Sequence, residues 1–471
     1  MNHPTRRTLI IGAGEAGTLL GQQILQTKKS KYNIIGYIDD DPKKQNIKVN
    51  KVPVLGKISE IPEVINDYRI SDVIIAMPSV EQSVLLKFVN QCKKTSVRIK
   101  LLPREKDLLD SKIIADQIYD INVKDLLGRE MIEPTNRLKN YLKNKSILIT
   151  GAGGSIGSEL VSQVATFQPR LLILIGHGEN SIYNIELNMA NNFPHIKTHF
   201  IIADIQDKQY IEKIFQQHQP EIVFHAAAHK HVPLMERNEG AAVRNNIIGT
   251  NILAEAAVRF KTERFIFIST DKAVDPVNVM GMTKRVAEMV IQKFSENKLT
   301  KFSIVRFGNV LESRGSVIPI FKKQIKAGGP VTITHPDMVR YFMTIPEAVL
   351  LVLEAGSLSK GGEIFVLDMG EPVKILDLAK NLIRLSGYEP DSDIQIKFTG
   401  VRPGEKLIES LFYDSEKIVS TDHPYIVVAK PRSINGTHFK ENLKELKKSI
   451  YSPVKLRSIL TRIIQNGVTK Q

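Results

Sequence analysis

A single cysteine, Cys92, excludes an intrachain disulfide and a cysteine-built zinc site, and it fits a reducing compartment. Long apolar runs are missing as well. None approaches the roughly 20 residues that cross a bilayer, so no membrane span is expected. At the start two arginines precede an apolar run, as in a signal peptide, but Gly12 ends that run after four residues. It reads as a first strand. Acidic residues are in the minority, Asp+Glu 50 against Lys+Arg 65, for a net charge of +15. Much of the excess base lies in solvated-looking stretches, residues 137–145 and 440–448. No nucleic-acid recognition motif accompanies them, so the expectation is a charged surface and no nucleic-acid partner.

What is present is ordinary globular composition, 42% hydrophobic and 24% charged, in 471 residues, a length that suggests two or three domains. Residues 8–17, TLIIGAGEAG, place Gly12, Gly14 and Gly17 between a strand and a helical pattern, the context a dinucleotide fingerprint requires. A second strand ends in Asp39, suitably placed for a ribose hydroxyl. Glu15 inside the loop would face a pyrophosphate, so ligand binding and a structural or regulatory role both stay open for this first domain.

At residue 146 the pattern begins again: SILITGAGGSIGSEL gives a strand, then Gly151, Gly154 and Gly157, then a helix. Such glycines let backbone amides approach a pyrophosphate at a helix N-terminus. RLLILIG, THFIIADIQD, EIVFHAAAHKH, RFIFISTDK and FSIVRFGNV follow as further strands with helices between, which predicts a parallel, doubly wound sheet. After residue 310 the pattern is less regular and suggests a smaller part over the carboxyl edge of that sheet. The expected fold is therefore α/β, with two Rossmann-type doubly wound parallel-sheet domains. The expected boundaries are an N-terminal Rossmann-like, CoA-binding-like domain at 1–127, a linker at 128–145, a catalytic domain at 146–430 whose C-terminal part binds substrate, and a basic helical tail at 431–471.

The strand RFIFI delivers Thr270, Asp271 and Lys272 to its carboxyl end, where ligands bind in such sheets, and a helix resumes through Lys284. Four residues earlier stands Met280, where many nicotinamide enzymes of this build have tyrosine; a thioether neither gives nor takes a proton. His225, His229 and His231 fall on a strand end and loop without supporting carboxylates or cysteine, so no metal site is expected.

The second glycine loop, with Asp204 and HAAA at 225–228, resembles the extended short-chain dehydrogenase/reductase superfamily. Together STDKAVDPVNVMGMTK, HKHVPLMERN, VRFGNVLESRGSVIPIF and GVRPGEK resemble the nucleotide-sugar 4,6-dehydratases of the capsule, O-antigen and flagellin-glycosylation type, which act on UDP-N-acetylglucosamine. The resemblance covers essentially the whole chain. It implies C4 oxidation of the sugar, loss of water across C5 and C6, and return of the hydride to C6, with NAD or NADP regenerated in each turnover. It implies cofactor contacts at Gly151, Gly154, Ser155, Ile156, Gly157, Asp204, Ile205, Ala226, Ala227 and Lys284. Gly176 at the second strand end carries no carboxylate to repel a 2'-phosphate, and NAD against NADP stays open.

Asp271 and Lys272 are by this resemblance the elimination pair, and Lys284 holds the ribose. Met280 matches a large subgroup with the same replacement, so the C4 proton leaves through Thr270, Asp271 or a water held by Lys284. His231, Asn309, Arg314, Arg402 and Glu405 fall at substrate positions, the arginines suited to phosphate by their planar fork. The resemblance further implies a UDP-sugar partner, a homo-oligomer, and a place in the cytoplasm or at the inner face of the membrane. Relatives are often membrane-anchored through helices ahead of the first domain; a short member, a truncation and a different start site all fit the present sequence. A UDP-sugar 4-epimerase, which lacks the elimination pair, and a non-catalytic nucleotide-sensing or scaffold protein are the alternatives.

Overall fold

A computed structural model describes residues 6–27, 30–77, 82–92, 95, 97–102, 118–120, 132–297, 299–430, 434 and 436–466. The DLLGRE segment at 125–130 lies outside them. The chain divides into two compact units. One comprises residues 1–130 with 324–331 and 379–396; the other comprises 131–323, 332–378 and 397–471.

In the first unit Arg6–Ile11 is the central strand, paired in parallel with Tyr32–Ile38 on one side and Asp72–Ile75 on the other. Leu9, Ile10 and Ile11 are fully buried, because helices cover both faces of such a sheet. Asp39 is committed within the unit. Its carboxylate accepts the Ala13 amide at 2.8 Å, the Asp41 amide at 2.9 Å and Lys44 Nζ at 3.0 Å. Burial pushes this carboxyl up, but the two amides and Lys44 outweigh it and hold it below its ordinary value.

The second unit is built on a nine-stranded sheet. Its order is Thr198–Ile202, Leu171–Gly176, Ser146–Thr150, Ile222–His225, Arg264–Ile268, Lys301–Arg306, Ile364–Leu367, Ile426–Ala429, Ile418–Ser420. The first seven are parallel, and Ile426–Ala429 pairs antiparallel with both Ile364–Leu367 and Ile418–Ser420. Strand order reverses between Ser146–Thr150 and Ile222–His225, which opens a crevice at their carboxyl ends. Phe265 and Phe267 of the RFIFI strand are 0% and 1% exposed, each worth about 1.5–3 kcal/mol of burial.

Two segments differ from expectation. Within the expected linker, Asn136–Leu142 is a helix: Thr135 caps it, and Leu138 and Leu142 are fully buried in the core of the second unit. The Thr135 amide and hydroxyl both bond the buried Glu354 carboxylate. Seven residues give only one period of the Leu138–Leu142 spacing, too little to stand out among polar neighbours. Residues 431–471 are indeed helical where described, as Gly436–Lys448 and Pro453–Asn466, but they are not a tail. Phe439, Leu446, Leu456, Leu460 and Ile463 pack with Val279, Met280, Val286 and Val290 of the helix Val279–Phe294. The lysines of this segment lie on the outer face of an amphipathic pair and hide its inner one.

Candidate active site

The strand Arg264–Ile268 ends where the backbone turns, and Thr270 caps a short helical turn at Asp271–Ala273. The turn is anchored to the next strand by the Asp271 amide, which bonds the Phe307 carbonyl at 3.1 Å. Asp271 is wholly buried. Its Oδ1 accepts the Thr270 hydroxyl at 2.8 Å and Lys272 Nζ at 3.0 Å, while Oδ2 has no hydrogen-bond partner among the described residues. A buried carboxylate oxygen without a donor is costly, and such groups mark working sites. Lys272 Nζ also reaches Asn309 Oδ1 at 3.0 Å. Asn309, expected at the substrate diphosphate, is hydrogen-bonded to this lysine.

Asn278 opens the helix Val279–Phe294 by accepting the Gly281 amide, and its own side-chain amide bonds the Gly404 carbonyl of the VRPGEK loop at 2.8 Å. One turn in, Met280 is 3% exposed and faces the apolar cluster made with the C-terminal helices. A second turn brings Lys284, whose Nζ donates to the Ile268 carbonyl at 2.6 Å and lies 3.8 Å from the Phe267 ring centroid. Burial lowers this amine to about 7 despite the opposing pull of Glu288. Both ring nitrogens of His225 are taken, by the Thr150 and Thr250 hydroxyls at 2.8 Å each, and burial holds this imidazole well below its ordinary value.

The glycine loop follows the first strand of the sheet. Gly151 has φ +66, and a β-carbon on Gly157 would stand 2.0 Å from the Gly151 carbonyl oxygen, so loop and helix close tightly. Ser155 and Ile156 begin the helix Ser155–Thr166, and Ala226 and Ala227 abut Gly151. Asp204 is exposed at the end of the third strand, while Ile205 beside it is buried. Arg314, expected at the substrate diphosphate, bonds the glycine loop: its amide bonds Ser155 Oγ at 3.1 Å and its guanidinium bonds the Gly153 carbonyl at 3.0 Å. His231 packs nearby against Gly315. Arg402 and Glu405 close their own turn, the Glu405 amide bonding the Arg402 carbonyl at 3.0 Å. Arg340 stands 3.7 Å from Glu405 and bonds the backbone of Lys406 and Leu407.

Sequence reasoning missed the charges beneath the site. Arg306, fully buried, makes paired bonds of 2.8 Å to Glu288 and bonds of 3.0 and 2.9 Å to Glu416. Burial pushes the Glu288 carboxyl up, yet Arg306, Arg285 and Ser269 hold it at about 2. These residues are scattered over more than a hundred positions, and no spacing in the chain announces them.

Residues 147–431 match a family described as polysaccharide biosynthesis protein, and residues 1–103 match one described as CoA-binding domain. The chain belongs to the polysaccharide biosynthesis protein family. Among its relatives, the probable polysaccharide biosynthesis protein EpsC of Bacillus subtilis (strain 168) is 51% identical over 426 residues, covering 90% of this chain and 71% of that protein. The capsular polysaccharide biosynthesis protein CapD of Staphylococcus aureus is 50% identical over 415 residues, 87% of this chain and 69% of the other. Of solved structures, the dTDP-glucose 4,6-dehydratase DesIV from Streptomyces venezuelae, with NAD and TYD bound, shares the fold with a TM-score of 0.51 at 20% identity, covering 56% of this chain and 88% of that one. In this member of the polysaccharide biosynthesis family, the Asp271–Lys272 turn, Lys284 and the glycine loop all lie at the carboxyl ends of parallel strands, as in other Rossmann-type sheets. No helix among the described residues is long and apolar enough to cross a membrane.

Proposed function

We propose that the protein is a nucleotide-sugar 4,6-dehydratase that converts UDP-N-acetylglucosamine to a UDP-4-keto-6-deoxy sugar for surface polysaccharide synthesis. The observation that carries this reading is the Asp271–Lys272 pair at the strand end, where Asp271 is buried with one carboxylate oxygen unpartnered among the described residues and Lys272 Nζ is fixed by Asn309. An epimerase needs no such elimination pair. The family assignment supports the polysaccharide route, and the dehydratase DesIV, described with NAD bound, supports the cofactor class.

The glycine loop fits NAD or NADP. The helix Ser155–Thr166 offers its first amides there without a side-chain cap, and a β-carbon on Gly154 would meet nothing within 4 Å except the Gly151 carbonyl oxygen at 3.1 Å, so the loop faces open space. When bound, the cofactor supplies reversible oxidation at C4 of the sugar. The remaining work belongs to the chain. Thr270 takes the C4 hydroxyl proton and passes its own to Asp271, along the 2.8 Å bond between them, which fills the place left by Met280. Lys272, as the amine, accepts the C5 proton, and Asp271, as the acid, gives its proton to the departing C6 hydroxyl, so water leaves and the C5–C6 double bond forms. Lys284 orients the ribose from its anchor on Ile268.

Incubation of the purified protein with UDP-N-acetylglucosamine in deuterium oxide tests the proposal. The expected product has lost one water and carries deuterium at C5, read by mass spectrometry and NMR. Unchanged sugar with cofactor bound, or a C4 epimer of unaltered mass, would overturn it.

A further inference from the structure

The turn Asp271–Ala273 is too short to hold its own shape. It closes through two backbone bonds, from the Ala273 amide to the Thr270 carbonyl at 3.1 Å and from the Val274 amide to the Asp271 carbonyl at 3.0 Å. Upstream, the Asp271 amide ties it to the sheet at Phe307. Downstream, its carbonyls are taken by side chains from a segment more than a hundred residues away: the buried Tyr413 donates its hydroxyl to the Ala273 carbonyl at 2.9 Å, and Lys406 Nζ donates to the Val274 carbonyl at 3.0 Å. Tyr413 is itself fixed by buried charges that take no part in the chemistry proposed for the site. Its amide donates to Glu416 Oε2 at 3.1 Å, and the same carboxylate receives Arg306 Nη1 at 3.0 and 2.9 Å. Its ring centroid stands 5.2 Å from the Arg285 guanidinium carbon and 5.6 Å from that of Arg306. Both arginines bond Glu288, one turn past Lys284, and Glu288 also accepts the Ser269 hydroxyl at 2.7 Å, just before the turn.

We propose that Tyr413 is a positioning residue, which carries the fixed geometry of the Arg306–Glu416 cluster to the turn and so sets the aim of Asp271 and Lys272. Buried, well-bonded charge networks are rigid, and the phenol runs from this one to the Ala273 carbonyl. Burial raises the phenol above its ordinary value, with Arg285 opposing, so the hydroxyl keeps the proton that it gives to Ala273. Lys272 lies between the tied Asp271 amide and the tied Ala273 carbonyl. A turn loose at its downstream end would let Lys272 Nζ drift from Asp271 Oδ1 and Asn309 Oδ1, each now 3.0 Å away. The anchoring of the turn does not depend on the reaction; its effect on water loss rests on the dehydratase reading.

Tyr413→Phe in the full chain tests this, since it deletes the hydroxyl and keeps the ring beside the guanidinium groups. Hydrogen–deuterium exchange of the peptide 269–278, read by mass spectrometry, needs no substrate and should quicken by about 5–10-fold, the worth of one hydrogen bond. With UDP-N-acetylglucosamine, kcat for water loss should fall about tenfold or more while KM changes by less than about twofold, the mark of aim lost without loss of binding. Unchanged exchange in the folded variant overturns the proposal. So does faster exchange with wild-type kcat, or a fall in kcat matched by an equal rise in KM. If the variant fails to fold, as judged by thermal melting, exchange of wild type in low urea serves: peptides 269–278 and 404–416 should open together, and separate opening overturns the anchoring. If wild type releases no water from the sugar nucleotide, the dehydratase reading fails and the role in elimination with it, and exchange alone decides the anchoring.

Discussion

A β-carbon on Gly281 would stand 2.2 Å from the carbonyl oxygen of Lys272, so the helix carrying Lys284 lies directly on the turn carrying Asp271 and Lys272. Gly281→Ala must push these two elements apart. The expected outcome is a loss of about 1–3 kcal/mol of stability and a drop in kcat of roughly 100-fold, since about 1 Å of misplacement has that effect. Thermal melting and steady-state rates check it; a variant with wild-type kcat would mean that the turn adjusts freely.

Lys272→Ala removes the proposed base while leaving the glycine loop intact. Dehydration should fall by about 10²–10⁴-fold with cofactor affinity unchanged. Product mass and cofactor titration separate the two. Full activity in this variant removes Lys272 from the mechanism.

Arg314 bonds the Gly153 carbonyl from outside the loop, and its amide bonds Ser155. Arg314→Ala should weaken cofactor binding by about tenfold, the worth of a charge-assisted hydrogen bond, and leave the affinity for the sugar nucleotide nearly unaltered. Equilibrium titration of each ligand reads this. The opposite pattern would return Arg314 to the substrate diphosphate.

Lys284 is held at about 7 in the folded protein against an ordinary value of 10.5. Between those two values the unfolded chain binds a proton that the folded chain does not, so this group lets stability rise with pH. The rise begins near 7 and is complete near 10.5; below 7 the penalty is at its full value. Relative to Lys284→Met, the cofactor-free wild type should therefore gain up to a few kcal/mol across that window. Urea unfolding of both proteins at several pH values gives the difference, and parallel pH curves would deny the depressed amine.

Leu460 lies in the cluster that joins Pro453–Asn466 to Met280 and is fully buried. Leu460→Ala should lose about 2–5 kcal/mol. Denaturant midpoints measure it, and a loss below about 0.5 kcal/mol would class these helices as a loose appendage.

Both Rossmann units were legible in the sequence because their signal is local: a strand, a glycine loop and a helix within twenty residues. Asp271, Lys272 and Lys284 were legible for the same reason, lying on one strand end and the helix that follows. Arg340, Arg306 and Glu416 were not, since their side-chain partners lie far away in the chain. Arg314 shows a third case: its planar fork is legible from its residue type, but the loop after the sixth strand folds back to the glycine loop at 151–157, a path no spacing encodes. Asn309 likewise turned toward Lys272, because a lysine at a strand end takes the nearest carbonyl oxygen.

The cover that the helices Gly436–Lys448 and Pro453–Asn466 provide for Val279–Phe294 has a consequence for biosynthesis. The helix bearing Met280 and Lys284 leaves the ribosome long before its apolar partners are translated. Until Phe439 and Leu460 emerge, its outer face is wet, and a chaperone or a neighbouring nascent chain has access to it. Synthesis of the nine-stranded sheet is therefore not the last step in making the candidate site; the seat of Met280 is completed only afterwards.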